Sequence, residues 1–419
     1  MTDRLVTEVP KDIGVLSESI KYPKSGLVAP NRTLKAAMTE RLCSYDADEP
    51  TKRGIPGPEL IRVYEEWGKG GFGLILSGNT FGDYINLEAK GNPIMVGDEP
   101  ERLENFKKVA AAAKAEGALY VVQLSHGGRQ VPYDVNPNPV SSSDVRLDKM
   151  SGNDVSANFG QPTQLTVDEI KKTVDNFAKA AAYAHKTGAD GVQLHSAHGY
   201  LLAQFLASST NKRNDQYGGS LENRSRIHFE ILEAIQKAVP DPKFSIGIKI
   251  NSAEFQQGGF QPEECRDVCA RLEKAGIDWI ELSGGTYEEL GFSHKRDSTK
   301  KREAFFLEFA DIIRSGVKDV PIYVTGGFRT ANAMVDAVKS GSCQGVGLAR
   351  PVCEEYDLPK KLLSGKVASA RKTLVPDSNF MMGNQVCCAQ IAQVGRGEKP
   401  TDTLDDSQLQ PLLKQLGLA

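Results

Sequence analysis

The sequence predicts a (β/α)8 barrel, because strand-like apolar segments alternate with longer segments of helical period along most of its 419 residues. Eight predicted strands cover residues 33–37, 73–78, 119–124, 191–194, 244–250, 279–282, 322–325 and 345–348. Predicted helices cover residues 57–69, 101–115, 166–186, 221–239, 262–274, 303–314 and 331–339, and Pro359 opens the last one. An open, doubly wound sheet is the alternative, but no GxGxxG motif follows the first strand.

Local signals at the helix ends support this assignment. Thr166 and Glu169 have the spacing of a capping box, in which each side chain satisfies a backbone N–H at the start of a helix. Glycine readily adopts the left-handed backbone that turns the chain out of a helix, and it follows four of the predicted helices, as Gly117, Gly188, Gly276 and Gly341. These signals do not depend on the hydrophobic pattern.

Two segments are too long to be simple connections. Residues 130–165, rich in Pro, Asn, Ser and Gly, follow the third strand, and we expect them to form a lid or small excursion over the barrel mouth. Residues 364–419 are predicted to be a C-terminal extension after a barrel that occupies residues 1–363, with a helical pattern at 405–416. We expect the extension to pack on the barrel or on a second subunit, so a homodimer is compatible with the sequence.

The composition, with 40% hydrophobic and 25% charged residues, is that of a globular protein with a large core. A net charge of −3 gives no electrostatic basis for nucleic-acid binding. No segment approaches the ~18 apolar residues of a membrane span, and the first residues, MTDRLVTEVPKD, lack the apolar stretch of a signal peptide. We therefore expect a cytoplasmic protein that binds neither membranes nor nucleic acid. The seven cysteines lack paired CxxC spacing, so no metal site is expected.

The most informative segment is GVQLHSAHGY at 191–200, which leads from a predicted strand into three polar rings. In a barrel the chemistry gathers at the C-terminal ends of the strands, where His195, His198 and Tyr200 would lie. Two imidazoles and a phenol can together bind and protonate a polar substrate atom. A single buried histidine is more often a hydrogen-bonded core residue, but three such groups within six positions favour a catalytic site.

Other strand ends carry groups suited to a phosphate and a flat ring. Gly326 and Gly327 follow the seventh strand and Arg350 ends the eighth, where barrels commonly bind phosphate; a tight turn is the alternative for the glycines. A Gln amide, a Thr hydroxyl and the ammonium of Lys249 could contact the edge of a heteroaromatic ring. A structural ion pair is the alternative for Lys249, but a cation beside a flavin would stabilise its anionic reduced form.

Five ordered motifs resemble those of the Old Yellow Enzyme family, FMN-dependent ene-reductases within the NADH:flavin oxidoreductase group. They are NRTLKAAMTE at 31–40, VVQLSHGGR at 121–129, HSAHGYLLAQFL at 195–206, NKRNDQYGGSLENRSR at 211–226 and VGLARPVCEEYDLP at 346–359. The resemblance spans roughly residues 27–361. It implies a TIM barrel with FMN at its mouth, in which NADPH or NADH reduces the flavin and the flavin reduces an activated alkene.

The resemblance also implies roles for individual residues. The family contacts the isoalloxazine and ribityl groups at positions matched by Ala37, Met38, Thr39, Gly78, Gln123 and Lys249. It binds the phosphate at positions matched by Gly326, Gly327, Gly347, Ala349 and Arg350. His195 and His198 match the pair that hydrogen-bonds the substrate carbonyl oxygen, and Tyr200 matches the proton donor.

The sequence departs from the family pattern at several of these positions. Ala37 stands where the family usually has proline, and Ala349 stands where it usually has glycine, close to the phosphate. Thr39 stands where many bacterial relatives carry a cysteine that tunes the flavin, so that control is not expected here. The four-cysteine cluster of the dienoyl-CoA reductase branch is absent from the sequence, and Cys387-Cys388 cannot replace it.

Two alternatives to an ene-reductase remain at this point. One is a cofactor-free, phosphate-binding barrel enzyme such as an aldolase or isomerase. The other is a flavin-binding protein that catalyses a redox-neutral isomerisation or assists a pathway partner. Flavin colour distinguishes the first alternative, and enone-dependent consumption of NAD(P)H distinguishes the second.

Overall fold

Eight parallel strands close into a barrel in the computed structural model, which describes residues 3–5, 8–150, 152–288, 307–377 and 379–418. The strands are β1 (Thr33–Lys35), β2 (Leu74–Leu76), β3 (Leu119–Ser125), β4 (Gly191–Ser196), β5 (Ser245–Asn251), β6 (Trp279–Ser283), β7 (Ile322–Thr325) and β8 (Gly345–Leu348). Each pairs in parallel with the next, and β8 pairs with β1, so this sheet is closed. The predicted (β/α)8 barrel is confirmed.

A helix follows each strand. These helices are α1 (Pro58–Gly68), α2 (Pro100–Lys114), α3 (Val167–Lys186), α4 (Leu221–Ala238), α5 (Pro262–Ala275), α6 (Leu307–Arg314), α7 (Ala331–Lys339) and α8 (Leu358–Leu363). Shorter helical segments are Ile13–Ser17, Pro50–Lys52, Gly128–Gln130, Leu201–Leu206 and Pro351–Glu354. Pro359 lies in the first turn of α8, as predicted. Residues 303–306 of the predicted sixth helix lie outside the described residues.

The predicted signals at the helix ends are present in the structure. The Thr166 hydroxyl accepts a hydrogen bond from the Glu169 N–H (3.2 Å), and the Glu169 carboxylate accepts one from the Thr166 N–H (2.8 Å), which completes the capping box of α3. The four glycines after α2, α3, α5 and α7 all have left-handed φ angles, between 82° and 104°. Local sequence therefore determines where these helices begin and end.

Aromatic residues close the N-terminal end of the barrel. Two short antiparallel strands, Ile20–Lys21 and Val28–Ala29, precede β1. Just after the first of them, the Tyr22 ring stacks on Trp279 of β6, with 6.2 Å between ring centroids. The hydroxyl oxygens of Tyr22 and Tyr323 lie 2.9 Å apart, and all three side chains are fully buried. We call this region the closed end.

Residues 130–150 and 152–165 lie at the opposite end of the barrel, which we call the mouth. They contain the strand pairs Val140–Ser141 with Thr163–Gln164, and Lys149–Met150 with Asn153–Asp154. The buried Arg213 guanidinium, from the connection after β4, donates hydrogen bonds to the carbonyl oxygens of Ser142 (3.0 Å) and Leu165 (2.6 Å). These bonds fasten the excursion to the chain that follows β4.

The C-terminal extension contains α9 (Phe380–Gly395) and α10 (Asp406–Gln415). Helix α9 packs along α1 and the short helix Pro351–Glu354. Arg62 of α1 donates a hydrogen bond to the Gly395 carbonyl (2.7 Å), and Arg371 pairs with Glu354 (2.7 Å). The extension therefore packs on the barrel beside the mouth. Within the described ranges, no helix combines the length and apolar character that crossing a membrane requires.

Candidate active site

A cavity of about 210 Å³, which we call the inner cavity, lies at the C-terminal ends of the barrel strands. The predicted site residues that line it are Ala37, Met38, Thr39, Gln123, His195, His198, Tyr200, Lys249, Gly326, Gly327, Gly347, Ala349 and Arg350. Gly78 lies just behind its wall, where its N–H donates a hydrogen bond to the Glu40 carboxylate (2.8 Å). A Cβ at Gly78 would lie 2.3 Å from the Met38 carbonyl oxygen, so the close approach requires glycine.

The two histidines belong to a continuous hydrogen-bond chain. His195 Nδ1 lies 3.1 Å from Ser125 Oγ, and His195 Nε2 lies 3.1 Å from His198 Nδ1. His198 Nε2 in turn lies 2.8 Å from Ser283 Oγ. His198 has a left-handed φ of 59°, and its N–H donates to Asn251 Oδ1 (3.1 Å). For both rings to donate to one substrate oxygen, the bond between the two imidazoles must open.

Burial keeps both imidazoles neutral at physiological pH. It lowers the pKa of His195 well below its usual value, and the nearby His198 and Lys249 lower it further. Burial and the charge of Lys249 lower the pKa of His198 to about 3. The pair can therefore supply neutral N–H donors, which stabilise developing negative charge without first needing a proton.

Tyr200 is 4% exposed, and its ring centroid lies 4.7 Å from that of His195. Its hydroxyl oxygen lies 2.7 Å from that of Tyr287, which follows β6. Burial, followed by the neighbouring Tyr287, raises the pKa of Tyr200 well above its usual value. Tyr200 therefore remains protonated at neutral pH and can act as an acid.

The Thr39 hydroxyl is engaged by a buried carboxylate. Its Oγ1–H donates to Glu88 Oε2 (2.7 Å), and Glu88 also pairs with Arg41 (2.8 Å). The Asn92 amide contacts both Thr39 and Glu88, at 3.3 and 3.1 Å. Thr39 lines the cavity, but its proton is directed toward Glu88, which the sequence analysis missed.

A buried polar network forms part of the cavity floor. The Gln123 amide donates to Gln193 (2.7 Å), and the Gln193 amide donates to Glu281 (2.7 Å). Glu281 pairs with Lys249 at 3.0 Å. Lys249 is thus both ion-paired and in the cavity wall, so the two interpretations of this residue do not exclude each other. The sequence analysis missed Gln193. Because side chains two residues apart on a strand share one face, the position of Gln193 relative to His195 could have predicted it.

The ends of β7 and β8 combine an open backbone with positive charge. Gly326 and Gly327 have φ angles of 144° and 79°. Arg350 and Arg329 both line the cavity there, and both pair with Asp377 of the extension, at 3.4 and 3.1 Å. The sequence analysis missed Arg329, although it lies only two residues after Gly327.

The extension also contributes to the cavity. Phe380, Asn384, Cys387, Cys388 and Ile391 of α9 line it. The Cys388 thiol lies 3.5 Å from the Thr39 carbonyl oxygen. These residues were not predicted, because their position depends on how a separate segment docks.

A second, outer cavity of about 470 Å³ lies between the excursion and α9. Its walls include Tyr133, Met150, Val155 and Phe159 of the excursion and Phe380 and Met381 of α9. Glu88, Tyr287, Phe380 and Asn384 line both cavities. The outer cavity therefore adjoins the site and offers a largely apolar approach to it.

The residues at the mouth fit FMN. Left-handed glycines beside two guanidinium groups suit a phosphate. Thr325 Oγ1 is buried in the same wall without a hydrogen-bond partner among the described residues, so it can serve a ligand. A Cβ on Gly347 would lie 1.8 Å from that oxygen, so only glycine leaves it accessible. Lys249 and Gln123 supply polar groups on the side of the inner cavity opposite these glycines.

The model of the NADH:flavin oxidoreductase / NADH oxidase family matches residues 29–368, and the chain belongs to this family. It is 42% identical over 396 residues to the NADH-dependent flavin oxidoreductase nadA of Aspergillus parasiticus, covering 93% of this chain and 88% of that protein. It is 37% identical over 368 residues to the NADH-dependent flavin oxidoreductase iccE of Talaromyces variabilis, covering 83% of this chain and 86% of that protein. The protein is therefore a flavin-dependent oxidoreductase.

Solved structures agree with this assignment. A 2-naphthoyl-CoA reductase superposes with a TM-score of 0.77 at 25% identity, covering 96% of this chain and 58% of that one. The Old Yellow Enzyme homologue of Zymomonas mobilis superposes with a TM-score of 0.70 at 23% identity, covering 86% of this chain and 95% of that one. This superposition supports the barrel fold. The predicted resemblance to the Old Yellow Enzyme family is confirmed.

Proposed function

We propose that this protein reduces the C=C bond of α,β-unsaturated carbonyl compounds, with FMN as cofactor and NADPH or NADH as electron donor. The observation that carries the proposal is that His195, His198 and Tyr200 line one cavity together with the phosphate-binding candidates after β7 and β8. Family membership supports a flavin enzyme over a cofactor-free barrel enzyme.

Two ends of the inner cavity would hold the cofactor. Gly326, Gly327, Gly347, Ala349 and Arg350 would bind the phosphate through backbone N–H groups and a guanidinium. The remaining candidates would contact the ring and ribityl chain, namely Ala37, Met38, Thr39, Gln123 and Lys249, with Gly78 packed behind them. When bound there, FMN would supply the hydride transfer between the nicotinamide and the β-carbon of the alkene.

The protein's own side chains would act on the other two reacting atoms. As the β-carbon gains hydride, negative charge develops on the carbonyl oxygen, where neutral N–H groups of His195 and His198 bind an enolate more tightly than a ketone. Tyr200 would give its proton to the α-carbon. Its raised pKa keeps that proton in place until the carbon becomes basic.

We also propose that residues 364–419 form an extension to a barrel of residues 1–363 that shapes the substrate site. Phe380 and Asn384 of α9 line both cavities, which supports this role. A substrate reaching the inner cavity past these side chains would have an apolar body and a polar enone head.

The test begins with a spectrum of the purified protein, in which we expect bound flavin. Anaerobic stopped-flow then separates reduction by NADPH or NADH from reoxidation by a panel of enones. We expect reoxidation to depend on enone concentration and to yield the saturated carbonyl compound. A flavin that is reduced by the nicotinamide but reoxidised by no enone would contradict the proposal, as would isomerised product without nicotinamide consumption.

The histidine pair provides a second test. In His195→Ala and His198→Ala we expect weaker binding of phenols and slower reoxidation by enones, with flavin retained, because both rings supply donors for an oxyanion. Phenol titrations of the flavin spectrum measure this directly. His185→Ala, on the exposed end of α3, is the matched control and should leave these titrations unchanged.

A further inference from the structure

A second phenol stands behind the proposed proton donor. Tyr287, in the connection after β6, has its hydroxyl oxygen 2.7 Å from that of Tyr200. The two rings meet edge to face, with centroids 5.9 Å apart. Neither the sequence pattern nor the proposed reaction assigns a role to Tyr287.

The location of Tyr200 creates a requirement that Tyr287 can meet. If Tyr200 gives a proton to each substrate molecule, it must regain one from solvent before the next. Tyr200 is 4% exposed and lines the inner cavity, which substrate and flavin would fill. A phenolate left there would be desolvated, so its recovery calls for a hydrogen-bonded donor with access to water.

Tyr287 has both properties. It is partly exposed and lines the inner and the outer cavity, whereas its hydroxyl contacts that of Tyr200. His195 is also close to Tyr200, but one of its nitrogens is engaged with Ser125, and the other, now in contact with His198, would donate to the substrate oxygen. Tyr287 is thus placed between the buried acid and the larger cavity.

We propose that Tyr287 relays a proton from the outer cavity to Tyr200 after each reduction, an inference that rests on the proposed function. The Tyr200 O–H bond breaks as the C–H bond at the α-carbon forms. The Tyr287 O–H bond then breaks as the Tyr200 O–H bond is restored, and a water molecule of the outer cavity reprotonates Tyr287. One solvent proton is consumed for each alkene reduced, which balances the hydride from the nicotinamide.

Burial raises the pKa of Tyr287 above its usual value, with the nearby Glu88 adding to the effect. Arg41 opposes that effect. Burial raises the pKa of Tyr200 as well, so both phenols keep their protons at neutral pH, and the 2.7 Å contact between their hydroxyl oxygens gives a proton a direct path from one to the other. Tyr287 acts through Tyr200 and touches neither reacting carbon, so its effect should appear in proton uptake.

The experiment follows flavin absorbance and a pH indicator together when reduced holoenzyme is mixed with an enone such as cyclohexenone in weakly buffered solution. In the native protein we expect proton uptake to accompany reoxidation. In Tyr287→Phe we expect reoxidation in the first turnover to change less than about twofold, whereas proton uptake lags by about tenfold or more. Tyr287→His retains a group that can exchange protons and should restore most of the uptake rate.

Tyr22→Phe is the matched control, because it breaks the other tyrosine pair, which is fully buried and far from the mouth. It should leave both signals unchanged. Uptake that keeps pace with reoxidation in Tyr287→Phe would overturn the relay, and so would an equal slowing of both signals that histidine does not rescue. Failure of the proposed function looks different, because the native protein itself would then show no enone-dependent reoxidation.

Discussion

Each end of the barrel contains a pair of tyrosines whose hydroxyl groups are in contact. At the closed end, the hydroxyl oxygens of Tyr22 and Tyr323 lie 2.9 Å apart. At the mouth, those of Tyr200 and Tyr287 lie 2.7 Å apart. Burial raises the pKa of all four phenols. Neither the contact nor the direction of the pKa shift therefore distinguishes a structural pair from a functional one.

The surroundings of the two pairs differ. Tyr22 and Tyr323 pack against Trp279 in an apolar cluster that includes Leu34 and Leu74. Tyr200 and Tyr287 line a cavity shared with two imidazoles and a lysine. A buried phenol pair becomes useful for catalysis only where a substrate and a second polar group can reach it.

Removal of one hydroxyl at the mouth should give the largest functional effect. Tyr200→Phe keeps the ring and its packing but lacks the acidic proton, so reoxidation by an enone should slow by roughly 100- to 10,000-fold. Reduction of the flavin by NAD(P)H should continue at nearly the native rate. Stopped-flow traces of the two half-reactions measure this, and equal slowing of both would remove Tyr200 from the role of acid.

A positive charge at the mouth should matter for the cofactor and little for the fold. Arg350→Ala should weaken FMN binding by about tenfold or more, because a charge-assisted phosphate contact contributes roughly 1.5–3 kcal/mol. Equilibrium dialysis followed by absorbance gives the dissociation constant. Arg32→Ala is the control, since that guanidinium bonds the Gln344 carbonyl and Glu18 near the start of β1. Equal flavin retention in both variants would contradict the assignment of Arg350.

The sequence predicts the closed barrel and thirteen of the residues that line the inner cavity for the same reason. Strand and helix periods are local signals, and once eight parallel strands close, residues at their C-terminal ends must meet at one mouth. His195, Lys249 and Arg350 come from β4, β5 and the end of β8, yet all line one cavity. Their separation along the chain does not weaken the prediction, because the barrel supplies the geometry.

Several of the missed residues depend on interactions that no local pattern encodes. Tyr287 lies in a connection, and Cys388 lies on a helix whose docking on α1 brings it to the mouth. The pairing of Thr39 with Glu88 joins two loops. Glu281 is different, since alternation along WIELS could have placed it inside the barrel next to Lys249.

Removal of one hydroxyl at the closed end should affect stability and leave catalysis intact. Tyr22→Phe leaves the Tyr323 hydroxyl buried without its partner, which should cost about 1–3 kcal/mol in the free energy of unfolding. Denaturant titration measures this loss, and the enone-dependent rate of the folded variant should equal the native rate. A slower reaction in this variant would break the distinction between the two ends.

Mild acid should lower the free energy of unfolding, because histidines near the mouth are buried in the neutral form. Burial lowers the pKa of His198 to about 3 and that of His228, which bonds Ser196 of β4, to about 4. In the unfolded chain these groups bind protons near pH 6.5, so the unfolded state holds more protons between that pH and about 4. Stability is therefore full above pH 6.5 and falls as the pH is lowered, by up to about 1.4 kcal/mol per pH unit for each such histidine.

Substitution of one histidine tests this directly. His228→Gln should reduce the slope of unfolding free energy against pH by about 1.4 kcal/mol per pH unit between pH 6 and 4.5, because one proton fewer is taken up on unfolding. Tyr22→Phe should instead lower the whole curve without changing its slope, since its phenol does not titrate in acid. Denaturant titrations at several pH values measure both, and an unchanged slope in His228→Gln would mean that this imidazole is already protonated in the folded protein.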